Sequence, residues 1–169
     1  MIITELDIKH RIKQLASEIY FDYKQEKIYF IYILDGAFIF AADLARELSK
    51  LDLELVIGSL MIKTYNGIKS VKKPIIRPSF NFSIKDKNVI IIEDILDTGN
   101  TLNIIIQAIQ QQKPKNIDIC VLLRKKKFRE FNPIVKYVGF VIKDEFVIGY
   151  GLDYNNKYRE IPNISTYKK

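Results

Sequence analysis

Apolar residues recur at Ile8, Ile12, Leu15 and Ile19, the three-and-four spacing of one helix face, and Thr4 with Asp7 just ahead of them predicts a capping box that opens the helix. His10 falls off that stripe, so solvent rather than chemistry is its expected environment. Residues 27–34, KIYFIYIL, are rich in aromatic and β-branched residues, which predicts a buried strand ending at Asp35-Gly36. Helical spacing returns in FIFAADLARELSK, residues 38–50. LELVIGSLMIKTY, residues 53–65, alternates as a strand does. The segment after it, NGIKSVKKPIIRPS, is basic, holds two prolines and has little core material, which predicts a long loop of the kind that serves as a lid or binding segment.

Residues 88–112 read as strand, polar loop and helix, and residues 116–123 as another buried strand in which Cys120 is a packed small hydrophobe. VKYVGFVI and EFVIGYGLDY add two short strands after the basic segment RKKKFREFNP. Strands alternating with helices predict an α/β fold of three layers, a mostly parallel sheet flanked by helices. With no internal repeat and no linker, residues 1–169 are expected to form one domain.

Composition narrows the function more than the fold. A content of 48% hydrophobic and 28% charged residues excludes disorder as the main state. One Cys excludes an intramolecular disulfide and a Cys-based metal cage, and one His argues against a His-centred metal site or a Ser-His-Asp triad. No apolar run approaches the ~20 residues of a membrane span, and the acidic start MIITELDIKH lacks a hydrophobic signal core, so a cytoplasmic protein is expected. Lys and Arg exceed Asp and Glu by 27 to 20, a formal charge of +7 that suits an anionic partner, nucleic acid or a small polyphosphate, although most of it reads as solvated surface.

The chemistry concentrates in VIIIEDILDTGNTL, residues 89–102. Four apolar residues of a buried strand are followed by Glu93, Asp94 and Asp97, and carboxylates so near a core belong at the strand's carboxyl end, where open α/β sheets bind ligands. Asp97, Thr98, Gly99, Asn100 and Thr101 then open a helix whose free amides, hydroxyls and dipole make a phosphate cradle. Capping by Asp97 or Thr98 accounts for one acid, not three. Acids for hydroxyls beside a nest for phosphate suit a ribose phosphate, and the spacing is neither a P-loop nor a dinucleotide fingerprint.

EDILDTGNT resembles the phosphoribosyl-pyrophosphate signature of type I phosphoribosyltransferases, and the hypoxanthine-guanine branch of that family is similar over nearly the whole chain. ILDGAFIFAADL is similar to the branch's pyrophosphate loop, TYNGIKS to its mobile catalytic loop, LLRKK to the segment carrying its purine-contacting lysine, and DEFVIGYGLDYNNKYREIPNI to its C-terminal purine-binding signature. The resemblance implies the type I fold with a small C-terminal hood, Mg²⁺ as cofactor, and transfer of hypoxanthine, with guanine as second base, onto 5-phosphoribosyl 1-pyrophosphate. It assigns Asp97 as general base at purine N7 and, with Thr98, Gly99, Asn100 and Thr101, the 5′-phosphate cradle. Glu93 and Asp94 would hold the ribose hydroxyls and, with Asp153, the Mg²⁺. Lys125, Phe146, Val147 and Asp153 would contact the purine, Gly36 and Arg159 the pyrophosphate, and Thr64 and Tyr65 would close as the mobile loop.

Three positions depart from the branch's pattern. Its pyrophosphate loop carries Lys before the glycine, next to a non-proline cis peptide, where this chain has Asp35, so either the backbone alone or Mg²⁺ would meet the pyrophosphate there. Thr64 replaces Ser and keeps the hydroxyl, and Glu145 stands where some relatives have Lys. A homodimer or homotetramer is implied and a membrane partner is not. The rival is an RNA-binding regulator using the basic cluster at residues 124–129, with RNA ranked below the small-molecule substrates.

Overall fold

The computed structural model describes residues 2–66, 69–127 and 133–167, with the backbone alone for the parts of 63–75 within them. In chain order the elements are β1 (Ile2–Ile3), α1 (Glu5–Tyr23), β2 (Ile28–Leu34), α2 (Phe38–Ser49), β3 (Leu55–Asn66), β4 (Lys69–Ser79), β5 (Asn88–Leu96), α3 (Asn100–Gln110), β6 (Asn116–Lys125), β7 (Tyr137–Ile142), β8 (Val147–Ile148) and β9 (Ile164–Thr166).

Helix α1 opens with the expected capping box: the Asp7 amide donates to the Thr4 hydroxyl at 3.2 Å and the Thr4 amide to the Asp7 carboxylate at 3.0 Å. Ile8, Ile12, Leu15 and Ile19 are buried and His10 is exposed. A six-stranded sheet in the order β4-β3-β2-β5-β6-β7 forms the centre, with the last five strands of that order parallel. Strand β2 shows why its sequence does not alternate. Ile28 and Phe30 pack with α1 and α2 on one face, Ile31 and Ile33 with Leu102, Ile105 and Ile109 of α3 on the other. A strand covered on both faces reads as a continuous apolar run.

Two expectations are corrected. Within the segment expected to be a long loop, Lys69–Ser79 is a strand. Strand β4 pairs antiparallel with the end of β3, from Ser59 opposite Ser79 to Asn66 opposite Lys69, with an irregularity between Lys63 and Tyr65. Its prolines were the misleading signal, yet β4 is an edge strand, where a missing N–H leaves no inner ladder incomplete. The hood is also not purely C-terminal. Strand β9 pairs antiparallel with β1 on one side and β8 on the other, so Ile2 and Ile3 help build it. The strand predicted within EFVIGYGLDY shrinks to β8 because Gly149, Tyr150 and Gly151 take φ of 97°, 51° and 97°, outside the range of extended chain.

At the opposite sheet edge Arg11 of α1 donates to the Val138 and Gly139 carbonyls of β7 at 2.7 and 3.0 Å, which covers part of an otherwise open strand. Among the described residues no helix is long and apolar enough to cross a membrane.

Candidate active site

The strand order sets where a ligand binds. From β2 the chain crosses to β3 on one side, whereas β5 leads to β6 and β7 on the other, so the connections diverge at the carboxyl ends of β2 and β5. Open α/β sheets bind ligands in the crevice at such a switch point. Here a cleft of about 330 Å³ opens, lined by Gly36 after β2, by Glu93, Asp94, Asp97, Thr98, Gly99 and Thr101 after and along β5 and α3, and by Asp153 and Arg159 from the hood.

Glu93 is 6% exposed, and burial pushes its carboxyl well above the ordinary carboxylate value, with the adjacent Asp94 charge adding to the rise. Burial also raises Asp94, against hydrogen bonds from Glu93 and the Ile95 amide and the charge of Arg159. Two adjacent acids that resist ionisation, one buried and one half-buried, are arranged for a partner that brings hydroxyls or a cation. Among the described residues no three His, Cys, Asp or Glu groups converge into a metal cage. Gly36 lies so close to Asp94 that a Cβ would stand 1.8 Å from its carboxylate oxygen, so a side chain at this position would intrude on the acid.

Helix α3 begins at Gly99, whose φ of 85° suits glycine, and no side chain caps it. The N-cap glycine offers no side chain, and the Thr98 hydroxyl beside it accepts a long 3.4 Å bond from the Asn100 amide. The start of the helix is left facing the cleft with its positive dipole end. Asp97 instead pairs with lysines. The register that sets Leu96 opposite Arg124 brings Asp97 beside Lys125 at the end of β6, and Lys125 Nζ donates to it at 2.9 Å. Lys127 also pairs with Asp97, and Asp144 accepts from both lysines at 3.2 Å. Burial raises the Asp97 carboxyl, but the bonds from Lys127 and Lys125 outweigh it and hold the group below its ordinary value.

A family model described as a phosphoribosyl transferase domain matches residues 3–155. The chain belongs to the phosphoribosyltransferase family. Among curated relatives, a hypoxanthine phosphoribosyltransferase of Buchnera aphidicola is 38% identical over 97% of this chain and 93% of its own. A hypoxanthine-guanine phosphoribosyltransferase of Staphylococcus epidermidis is 38% identical over 99% and 93%. Of solved structures, a hypoxanthine-guanine phosphoribosyltransferase from Bacillus anthracis superposes with a TM-score of 0.87 at 36% identity, covering 98% of this chain and 94% of that one. A hypoxanthine phosphoribosyltransferase of Trypanosoma cruzi does so with 0.90 at 33% identity over 99% and 91%. This phosphoribosyltransferase is an enzyme with the mixed α/β fold of those structures.

The fold gathers most of the expected phosphoribosyltransferase residues in or beside one cleft. Asn100 opens α3, and Lys125, 7% exposed, reaches Asp97 from the neighbouring strand. Phe146 is 52% exposed, its ring edge-on to Tyr154 and Tyr167, and buried Val147 begins β8. Arg159 pairs with Asp153 at 2.9 Å. Asp35 follows a cis Leu34–Asp35 bond and is exposed, whereas Gly36 lines the cleft. Thr64 and Tyr65 lie on β3 and their side chains are outside the described residues, so the expectation of a mobile loop there stays an expectation. The basic run at 124–129 is not a uniform face. Lys125 is buried, Lys125 and Lys127 both turn onto acids, and Arg129 is outside the described residues. Lys127 and Asp144 escaped the sequence reading because a charge run and a loop acid carry no spacing signal of their own.

Proposed function

We propose that the protein joins a 6-oxopurine, hypoxanthine and also guanine, to 5-phosphoribosyl 1-pyrophosphate, releasing the nucleoside monophosphate and pyrophosphate. The observation that carries this reading is the pairing of Asp97 with Lys125 at the mouth of an uncapped helix: a base and a cationic donor side by side, next to a phosphate cradle. Lys125 turns from Asp97 to the purine 6-oxo oxygen, and the Asp97 carboxylate, still beside Lys127, takes the proton from N7, a step worth ~10²–10⁴-fold in rate. Phe146 stacks on the base and the Val147 backbone reads its edge. The amides of Thr98, Gly99, Asn100 and Thr101 hold the 5′-phosphate, and Glu93 and Asp94 hold the ribose hydroxyls. Glu93, Asp94 and Asp153 are the residues that would hold Mg²⁺, directly or through water, and the ion would neutralise charge on the diphosphate. As the anomeric bond breaks, charge separates between sugar and diphosphate, and Arg159 with the Gly36 backbone stabilises the departing anion. The lone buried thiol of Cys120 suits a reducing cytoplasm.

A self-associating chain is also proposed. Phe38 and Ile57 are 44% and 51% exposed and flank an apolar hollow with Tyr32, Ala42 and Ala45, a surface suited to an equivalent surface on a second copy.

The test is a product assay with phosphoribosyl pyrophosphate, Mg²⁺ and each purine separately. Nucleotide is expected from hypoxanthine and guanine and not from adenine. Asp97→Asn is expected to cut kcat by ~10²-fold or more. Lys125→Ala is expected to raise the purine KM by about tenfold or more, the loss of one charged hydrogen bond, while leaving pyrophosphate inhibition unchanged. Absence of product from both 6-oxopurines defeats the reading.

A further inference from the structure

The parts of the cleft assigned to the diphosphate come from two distant stretches of chain, Gly36 after β2 and Asp153 with Arg159 in the hood. They meet at one backbone contact. A Cβ at Gly151 would stand 2.0 Å from the Gly36 carbonyl oxygen, so only glycine lets the hood settle this closely on the loop. Gly151 also fixes Arg159: its carbonyl accepts from the guanidinium at 2.5 Å, its amide donates to the Arg159 carbonyl at 2.9 Å, and the guanidinium then reaches Asp153. Where Gly151 sits therefore decides where both Gly36 and Arg159 face.

Gly151 ends a run of three left-handed residues whose middle member is not glycine. Tyr150 holds φ of 51° at a cost of about 1 kcal/mol or more, so something else must stabilise the turn. Two bonds do. The Tyr150 amide donates to the Ile161 carbonyl at 2.7 Å, and its hydroxyl donates to the Asp43 carboxylate at 2.5 Å. Asp43 belongs to α2, the helix that starts two residues after Gly36, so this bond ties the hood to the same rigid element that carries the diphosphate loop. The ring is 6% exposed, and packing alone would be met equally well by Phe. Burial and the facing carboxylate both push the phenol's pKa upward, which keeps it a donor.

We propose that Tyr150 is a positioning residue for the phosphoribosyl-pyrophosphate site: its hydroxyl, docked on Asp43, holds the 149–151 turn against α2 so that Gly36 and Arg159 close on the same diphosphate. The inference rests on the function proposed above and adds two residues that touch neither substrate. Tyr150→Phe keeps the packing and removes only the bond. It is expected to raise the KM for phosphoribosyl pyrophosphate and the inhibition constant of pyrophosphate by about five- to twentyfold, less than a full charged hydrogen bond because water partly compensates. The hypoxanthine KM at saturating phosphoribosyl pyrophosphate should stay within about twofold, since Lys125 and Phe146 lie on other contacts. Asp43→Ala should reproduce the effect, the double variant should be no worse than either single one, and Asp43→Asn, which keeps an acceptor oxygen, should recover most of it.

An unchanged KM for phosphoribosyl pyrophosphate overturns the inference. An equal rise in both KM values with a lowered melting temperature also overturns it, because that pattern is general loosening. Calorimetric titration of wild type and Tyr150→Phe with Mg²⁺ and pyrophosphate separates this result from the fate of the functional reading. A wild type that binds pyrophosphate without making nucleotide sinks only the purine assignment, and equal binding by the two proteins sinks only the role of Tyr150. A wild type that neither binds pyrophosphate nor makes nucleotide sinks both.

Discussion

Glu93 shows how a single residue can serve the site at the expense of the fold. Its folded carboxyl titrates above its unfolded one, so the folded state holds the extra proton. Stability from this group is therefore complete below the ordinary carboxylate range and is lost as pH rises toward the raised folded value. Glu93→Gln removes the penalty. It is expected to raise unliganded stability at neutral pH by on the order of 1–2 kcal/mol, read by urea denaturation, while lowering activity. Gly36→Ala should instead lower stability as well as activity, since its new methyl must displace the Asp94 carboxylate. A loss of about 1–3 kcal/mol in stability and at least about tenfold in kcat/KM is expected from such overpacking beside a site.

Between elements, a polar network joins α1 to β6 and β7. Tyr23 donates to Asp118 at 2.5 Å, Tyr137 donates to Asp22 at 2.7 Å, and Lys136 bridges both acids at 2.7 and 3.1 Å with its ammonium over both rings. Asp22 is held below its ordinary value by the Tyr137 hydroxyl first and Lys136 next, against burial. A depressed folded value contributes stability above the unfolded one, lost as pH falls through the folded one. Tyr137→Phe is thus expected to cost about 1 kcal/mol at pH 7, and less once the medium falls below the ordinary carboxylate range. Chemical denaturation at the two pH values measures the difference. The start and the buried face of helix α1 were legible, because Thr4, Asp7 and the apolar stripe are local signals. Strand β4 was not, because its proline content speaks for an edge only once the neighbouring strand is known.

At the scale of the molecule, the same division separates what the chain declares from what the fold adds. Glu93, Asp94 and the loop into α3 announce themselves, since three acids and a run of small residues after a buried strand have few other uses. The Asp97, Lys125, Lys127 and Asp144 network and the Gly36 to Gly151 contact need strands β5 and β6 in register and the hood in place, and separations of tens of residues leave no periodic trace. Ile57→Glu tests the proposed self-association: the charged variant should sediment as a smaller species than wild type while keeping its melting temperature within a few degrees.

Because β9 is sandwiched between β1 and β8, the hood is stitched from residues 2–3, 147–148 and 164–166. A nascent polypeptide can complete its central sheet once residue 142 is free, yet it has no cover until residue 166 emerges and pairs with β1, a strand made before any strand of that sheet. The catalytic floor is finished early and waits, open to solvent, for its roof.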